Sequence, residues 1–248
     1  MGGKTTDASG ERRAALLPIL VVNFVGTLGF SIVLPFLVYL VTRWGGNALI
    51  FGLLGATYSF FQLIGAPVLG RWSDRFGRKP ILLLSQIGTL FSWALFLTAF
   101  FVPMTTLVDV DSGTLGRFTL TLPLVIALIA RAADGLTGGN VSVAIAYLAD
   151  ITDDAHRSAD FGKMAISGNL GFVIGPALAG LLAATIYGEV LPVIAALLIS
   201  LVATAIIAFG LQDTHPCEMA RDPERDNVRR VFGQENKSCY ELTEKEHI

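Results

Sequence analysis

Six stretches of this sequence are long and apolar enough to cross a lipid bilayer: residues 14–41, 48–69, 81–102, 122–148, 164–187 and 190–211. Spanning ~30 Å of hydrocarbon takes roughly 20 apolar residues in a helix. Backbone groups find no water there, so a span of this length must satisfy them internally as a helix. Core helices of a soluble protein are the alternative, but they run about 8 to 20 residues and keep a polar face. These stretches have no such face. The fourth alone carries charges, Arg131 and Asp134. With 15% charged residues against about a quarter in soluble domains, the chain cannot cover a water-facing surface of its size. That excludes a soluble globular domain and a disordered chain. A net charge of −2 leaves no basic patch for a nucleic acid. The predicted fold is therefore an all-α membrane protein, a six-transmembrane-helix bundle over 14–211. A short leader precedes it at 1–13, and a polar linker or tail with Pro216 and Pro223 follows at 212–248.

Basic residues set the expected orientation, because loops on the cytoplasmic side are enriched in Lys and Arg. One side collects Lys4, Arg12 and Arg13, then Arg71, Arg75, Arg78 and Lys79, then Arg157 and Lys163. The other has only Arg43 and Arg117 in its loops. Both termini are predicted to be cytoplasmic. The first span is too long for a signal peptide and lacks a small-residue cleavage site after it, so it is expected to be retained. Cys217 and Cys239 fall in the tail, where reduced thiols are the default. The loop 103–121, with Asp109, Asp111, Gly113, Gly116 and Arg117, is expected to form an external turn or small hairpin.

Three segments carry chemistry. Between spans two and three lies Gly70-Arg71-Trp72-Ser73-Asp74-Arg75-Phe76-Gly77-Arg78-Lys79-Pro80. Glycines suit a tight turn where helices end, and Pro80 suits the first turn of the next helix. A simple cation-rich loop explains the Lys and Arg, but not a lone Asp74 set between Gly70 and Gly77. In span four, Arg131 and Asp134 are three apart and share a helical face. A charge at membrane depth costs at least ~2.5–3.5 kcal/mol. The two either form an ion pair that only fixes packing or handle a proton or substrate. Gly135 and Gly139 add a small-residue face for close helix contact. Span five holds Gly168, Gly171, Gly175, Pro176 and Gly180, which let a second backbone approach and free a carbonyl at Pro176. The polar residues Asn23, Gln62 and Asn140 are candidates to line a central cavity; interhelical hydrogen bonding is their alternative use. Gln86 and Asn169 are further polar residues within spans. Whether the two triplets of spans repeat one another is left open.

The segment from Gly70 to Lys79 resembles the signature loop of the major facilitator superfamily, usually written G-x-L-x-D-R-x-G-R-K, with Trp72 in place of Leu. Gly171, Gly175, Pro176 and Gly180 resemble the G-x-x-x-G-P-x-x-G-G motif of its drug/proton antiporters, with Ala179 replacing the first closing glycine. Asp150, Arg157, Phe161, Gly162, Gly29 and Pro35 resemble the tetracycline-resistance branch. The resemblance covers roughly residues 14–211 and implies the N-terminal half of a twelve-helix transporter. It implies a conformational latch from Gly70, Asp74, Arg75, Gly77, Arg78 and Lys79, and proton or substrate coupling through Arg131 and Asp134. It also implies proton-driven efflux of small amphipathic compounds, a second six-helix half as partner, and a bacterial inner membrane. The alternatives are an ion-coupled nutrient importer and a non-transporting half that regulates a full transporter. No nucleotide-binding loop is present, and His156, His215 and His247 lie outside the spans without metal-ligand spacing. The chain is therefore not expected to be an enzyme, and no cofactor beyond a proton gradient is expected.

Overall fold

The computed structural model describes residues 5–138, 140–152 and 155–211, with side chains described from Leu16 onward. The tail at 212–248, with Cys217 and Cys239, lies outside the described residues, as does Gly139. Among the described residues, six helices have the length and apolarity to cross a membrane. They are α1 (Thr5–Arg43), α2 (Ala48–Phe76), α3 (Arg78–Thr98), a fourth span in two pieces, α4 (Leu122–Thr137) and α5 (Asn140–Ile151), then α6 (Arg157–Ala183) and α7 (Val190–Gly210).

Local chemistry sets several boundaries. The Asn47 side chain caps α2, its Oδ1 accepting from Leu49 N at 3.0 Å and Ile50 N at 3.2 Å. That satisfies amides that a helix start leaves without partners. Gly77 alone separates α2 from α3, at φ 97°, a conformation that disfavours any side chain. Gly70, expected at the helix end, sits inside α2 instead, with open space where a Cβ would be. The loop expected at 103–121 is an antiparallel hairpin of β1 (Thr106–Ser112) and β2 (Gly116–Thr121). It docks on the α1–α2 connection: Thr119 N donates to Gly45 O, and Thr121 Oγ1 donates to Trp44 O at 2.6 Å.

The packing repeats. In span terms, the first packs on the fifth as the second packs on the fourth. The first packs on the sixth as the third packs on the fourth, and the third meets the sixth. That exchange of one triplet for the other is the inverted repeat seen within halves of some transporters. Sequence alone left it open because the match lies in small residues at the contacts. A Cβ added at Gly171 would stand 2.9 Å from Leu28 N, and one at Gly175 would collide with Ser31 Oγ. On the other triplet, a Cβ at Gly135 would strike Tyr58 O and one at Gly65 would strike Leu136 O. Gly180 does not belong to this seam: nothing lies within 4 Å of its missing Cβ. α6 runs without interruption through Pro176.

Two apolar clusters hold the bundle. One, near the hairpin, includes Leu37, Trp44, Phe96, Leu124 and Val193. The other, near Gly77, includes Ile19, Leu82, Tyr147, Met164 and Ile207. Between them, along the middle of α1, the packing opens.

Candidate functional site

The opening is a cavity of about 600 Å³. α1, α2, α3, α5 and α6 all contribute to its wall, and α4 adds Asp134 and the residue after its end, Gly138. Asn23, Gln62 and Asn140 all line it, as does Asn169. Apolar and aromatic residues form most of the rest, among them Phe30, Tyr58, Trp93 and Phe172. A concave, largely apolar space with a few placed polar groups is the usual form of a small-molecule site.

Asp134 is the only carboxylate on the wall among the described residues. It is 6% exposed, and its Oδ2 lies 3.5 Å from Nη1 of Arg131, itself 5% exposed. The spacing of three puts them on one face of α4. A 3.5 Å contact is long for a charge-assisted bond, which normally runs about 2.7–2.9 Å. Arg131 finds compensation elsewhere. Its guanidinium carbon lies 4.9 Å from the Tyr58 ring centroid and 5.5 Å from that of Phe30. Such stacking contributes from about 0.5 to 2 kcal/mol as water is excluded. Arg131 Nε has no hydrogen-bond partner among the described residues. Buried donors are satisfied in the great majority of cases, so this pair is held in place without being saturated. Tyr58 is held in turn by Gln62, whose Nε2 donates to Tyr58 Oη at 3.1 Å and to Gly138 O at 3.0 Å.

Gly138 marks a break that the sequence reading missed. The continuous span expected at 122–148 divides there into α4 and α5. α4's end is gripped from two sides, by Gln62 of α2 and by Ser85 of α3, whose Oγ donates to Thr137 O. The available cue was Gly138, in a stretch where the sequence reading took only Gly135 and Gly139, as a packing face.

At one end of the bundle lies a second charge cluster. Arg78, 6% exposed, donates through Nε to Asp150 Oδ2 at 2.8 Å and through Nη1 to Ser73 Oγ at 2.7 Å, and its Nη1 lies 2.5 Å from Asp74 Oδ1. It therefore ties α2, α3 and α5 together. Asp74 and Arg78 lie one helical turn apart across the single-residue link at Gly77. Arg75 turns outward and stacks over the Phe76 ring at 5.4 Å. Gly70 joins this knot through its carbonyl, which accepts from Ser73 Oγ at 2.7 Å, and Lys79 follows Arg78 in the first turn of α3. Asp150, noted only for its resemblance to a family loop, is thus the acid on α5 that Arg78 reaches from α3.

Along α6, Gly171 and Gly175 of the expected antiport motif meet α1. Ser31 Oγ donates to Gly171 O at 2.8 Å, Asn23 Nδ2 to Met164 O at 2.9 Å, and Ser167 Oγ to Leu20 O at 2.5 Å. Glycines at 171 and 175 are what permit that approach.

Six apolar spans around a solute-sized hollow, with an unsaturated charge pair buried beside it, define the class: an integral membrane protein with a cavity of small-molecule size. The model of the Major Facilitator Superfamily matches residues 19–242, and the chain belongs to that family of transporters, which are not enzymes. It is 33% identical over 206 residues to the class E tetracycline resistance protein of Escherichia coli, covering 82% of this chain and 45% of that one. It is 28% identical over 205 residues to multidrug resistance protein 2 of Bacillus subtilis, covering 82% and 45%. Among solved structures, the human organic anion transporter MFSD10 (TETRAN) superposes with a TM-score of 0.64 at 24% identity, over 84% of this chain and 49% of that one. The inward-open xylose transporter XylE from E. coli gives 0.57 at 15%, over 96% and 55%. The chain spans about half the length of the curated relatives it matches.

Proposed function

We propose that this chain forms one wall of a proton-coupled exporter of small amphipathic compounds, working by alternating access with a second six-helix half. That half comes from a continuation of the chain, a partner or a second copy. The observation that carries the reading is Asp134, the one acid on the cavity wall among the described residues, paired loosely with an arginine that is itself unsaturated. A carboxylate in that setting can take up and release a proton without dismantling the bundle, which a coupling site requires. The tetracycline and multidrug resistance proteins among its relatives support export, and the α1–α6 glycine seam supports antiport. Arg78, Asp74 and Gly77 are the latch in this reading, fixing the α2–α3 turn against which the other half closes. The turn faces the cytoplasm of a bacterial inner membrane, in line with the distribution of Lys and Arg.

The test is transport in inverted membrane vesicles from cells carrying the native gene. Acidifying the vesicle interior by respiration is expected to drive tetracycline uptake that a protonophore abolishes. Uptake equal to that of vesicles lacking the gene contradicts export of that compound. Uptake indifferent to the protonophore contradicts proton coupling.

A further inference from the structure

Two amides on the cavity wall point to what it accepts. Asn23 Nδ2 donates to Met164 O, and Gln62 Nε2 donates to both Gly138 O and Tyr58 Oη. A backbone carbonyl only accepts, so the nitrogen arm of each amide must be the one that faces it. The same geometry appears at the glycines: Asn23 Nδ2 stands 3.2 Å from where a Cβ on Gly168 would lie, and Gln62 Nε2 stands 3.3 Å from one on Gly138. Both N–H groups of Gln62 are therefore committed within the protein. The oxygen arms, Asn23 Oδ1 and Gln62 Oε1, receive no hydrogen bond among the described residues, and both side chains line the cavity. Asp134 adds a carboxylate to the same wall. Asn140 and Asn169 contribute amides that can turn either way, and the hydroxyls of Thr27, Tyr58 and Thr89 can accept as well as donate. The nearby cation adds nothing: Arg131 does not line the cavity, whereas Phe30 and Tyr58, on which it stacks, do.

We propose that Asn23, Gln62 and Asp134 make this wall a hydrogen-bond acceptor surface that selects aromatic compounds carrying N–H or O–H donors and turns away organic anions. The inference rests on the cavity being the substrate site. A donor-bearing aromatic ring pairs the free oxygens and packs on the aromatic wall. An isostere without donors leaves those oxygens unpaired, and sites built to hydrogen-bond reject such analogues strongly. An anion meets no lining cation and faces Asp134, so its charge is buried without compensation.

Three acridines of similar size separate these cases: 9-aminoacridine, a cation with N–H donors at its amino group; N-methylacridinium, a cation with none; and acridine-9-carboxylate, an anion. Binding is read from dye fluorescence with the full chain in phosphatidylcholine nanodiscs, after subtraction of empty nanodiscs. 9-Aminoacridine is expected to bind about tenfold more tightly than N-methylacridinium, the worth of roughly one good hydrogen bond. The carboxylate is expected not to saturate. Gln62→Met, which keeps length and removes the oxygen, is expected to bring the two cations within about twofold, and Asn23→Leu to narrow the ratio in the same sense. A ratio between two dyes in one variant is insensitive to a fraction of misfolded protein. Carboxylate binding as tight as that of 9-aminoacridine overturns the proposal but leaves the cavity as a binding site. So does a tenfold preference that survives in both variants. Saturable binding of none of the dyes overturns both readings.

Discussion

Two buried arginines, Arg78 and Arg131, have nearly equal exposure, 6% and 5%, and opposite surroundings. Arg78 makes close polar contacts to Ser73, Asp74 and Asp150 at 2.5–2.8 Å. Arg131 has one ion-pair contact at 3.5 Å, two aromatic faces and an unpartnered Nε. The lesson is that burial alone does not define a working charge. Close bonding fixes Arg78 as a knot among three helices. In the proposed reading, the looser bonding suits the Arg131–Asp134 pair to coupling, as the closer bonding suits Arg78 to a latch.

Breaking the knot should give the largest stability loss. Arg78→Met strands Asp150, 8% exposed, and removing one partner of a buried pair costs about 3–5 kcal/mol. Thermal unfolding in detergent is expected to drop sharply, and an unchanged melting curve would show that Asp150 is satisfied without Arg78. The α1–α6 seam comes next. Gly175→Ala drives a Cβ into Ser31 and toward Ile32 N, an overpacking expected to cost about 1–3 kcal/mol. Gly180→Ala, in open space, should leave the same melt unmoved, and equal losses at the two sites would refute the seam. Arg131→Lys keeps the charge but loses the planar stack on Tyr58 and Phe30. Its expected cost is smaller, about 1 kcal/mol, with a clear fall in transport. A large stability loss with normal transport would reverse the roles assigned to the two arginines.

Much of this was legible in the sequence. The six spans follow from length and apolarity alone. The turn at Gly77, the facing pair Arg131 and Asp134, and the approach at Gly171 and Gly175 follow from local spacing. What was not legible depends on partners distant along the chain. Tyr58 and Phe60 are both aromatic residues on an apolar helix. One stacks on Arg131, 73 positions on, and the other is 59% exposed. Hydrophobic periodicity separates inside from outside only where the outside is polar. On a lipid-facing helix both faces are apolar, so burial leaves little trace in the pattern. The α4–α5 break was hidden for a related reason: in membrane helices a glycine such as Gly138 serves close packing as readily as it ends a helix. Gly70 misled in the opposite direction, reading as a helix end while lying within α2.

The most direct test of the account is Asp134→Asn in proton-driven tetracycline uptake by inverted vesicles, with protein amount and melting temperature measured alongside. Asparagine keeps the shape of the side chain and cannot exchange a proton. The account predicts normal protein level, a melting temperature within a few degrees of the parent, and uptake reduced to that of vesicles lacking the gene. Protonophore-sensitive uptake at the parental rate would contradict it, and would place the coupling group elsewhere.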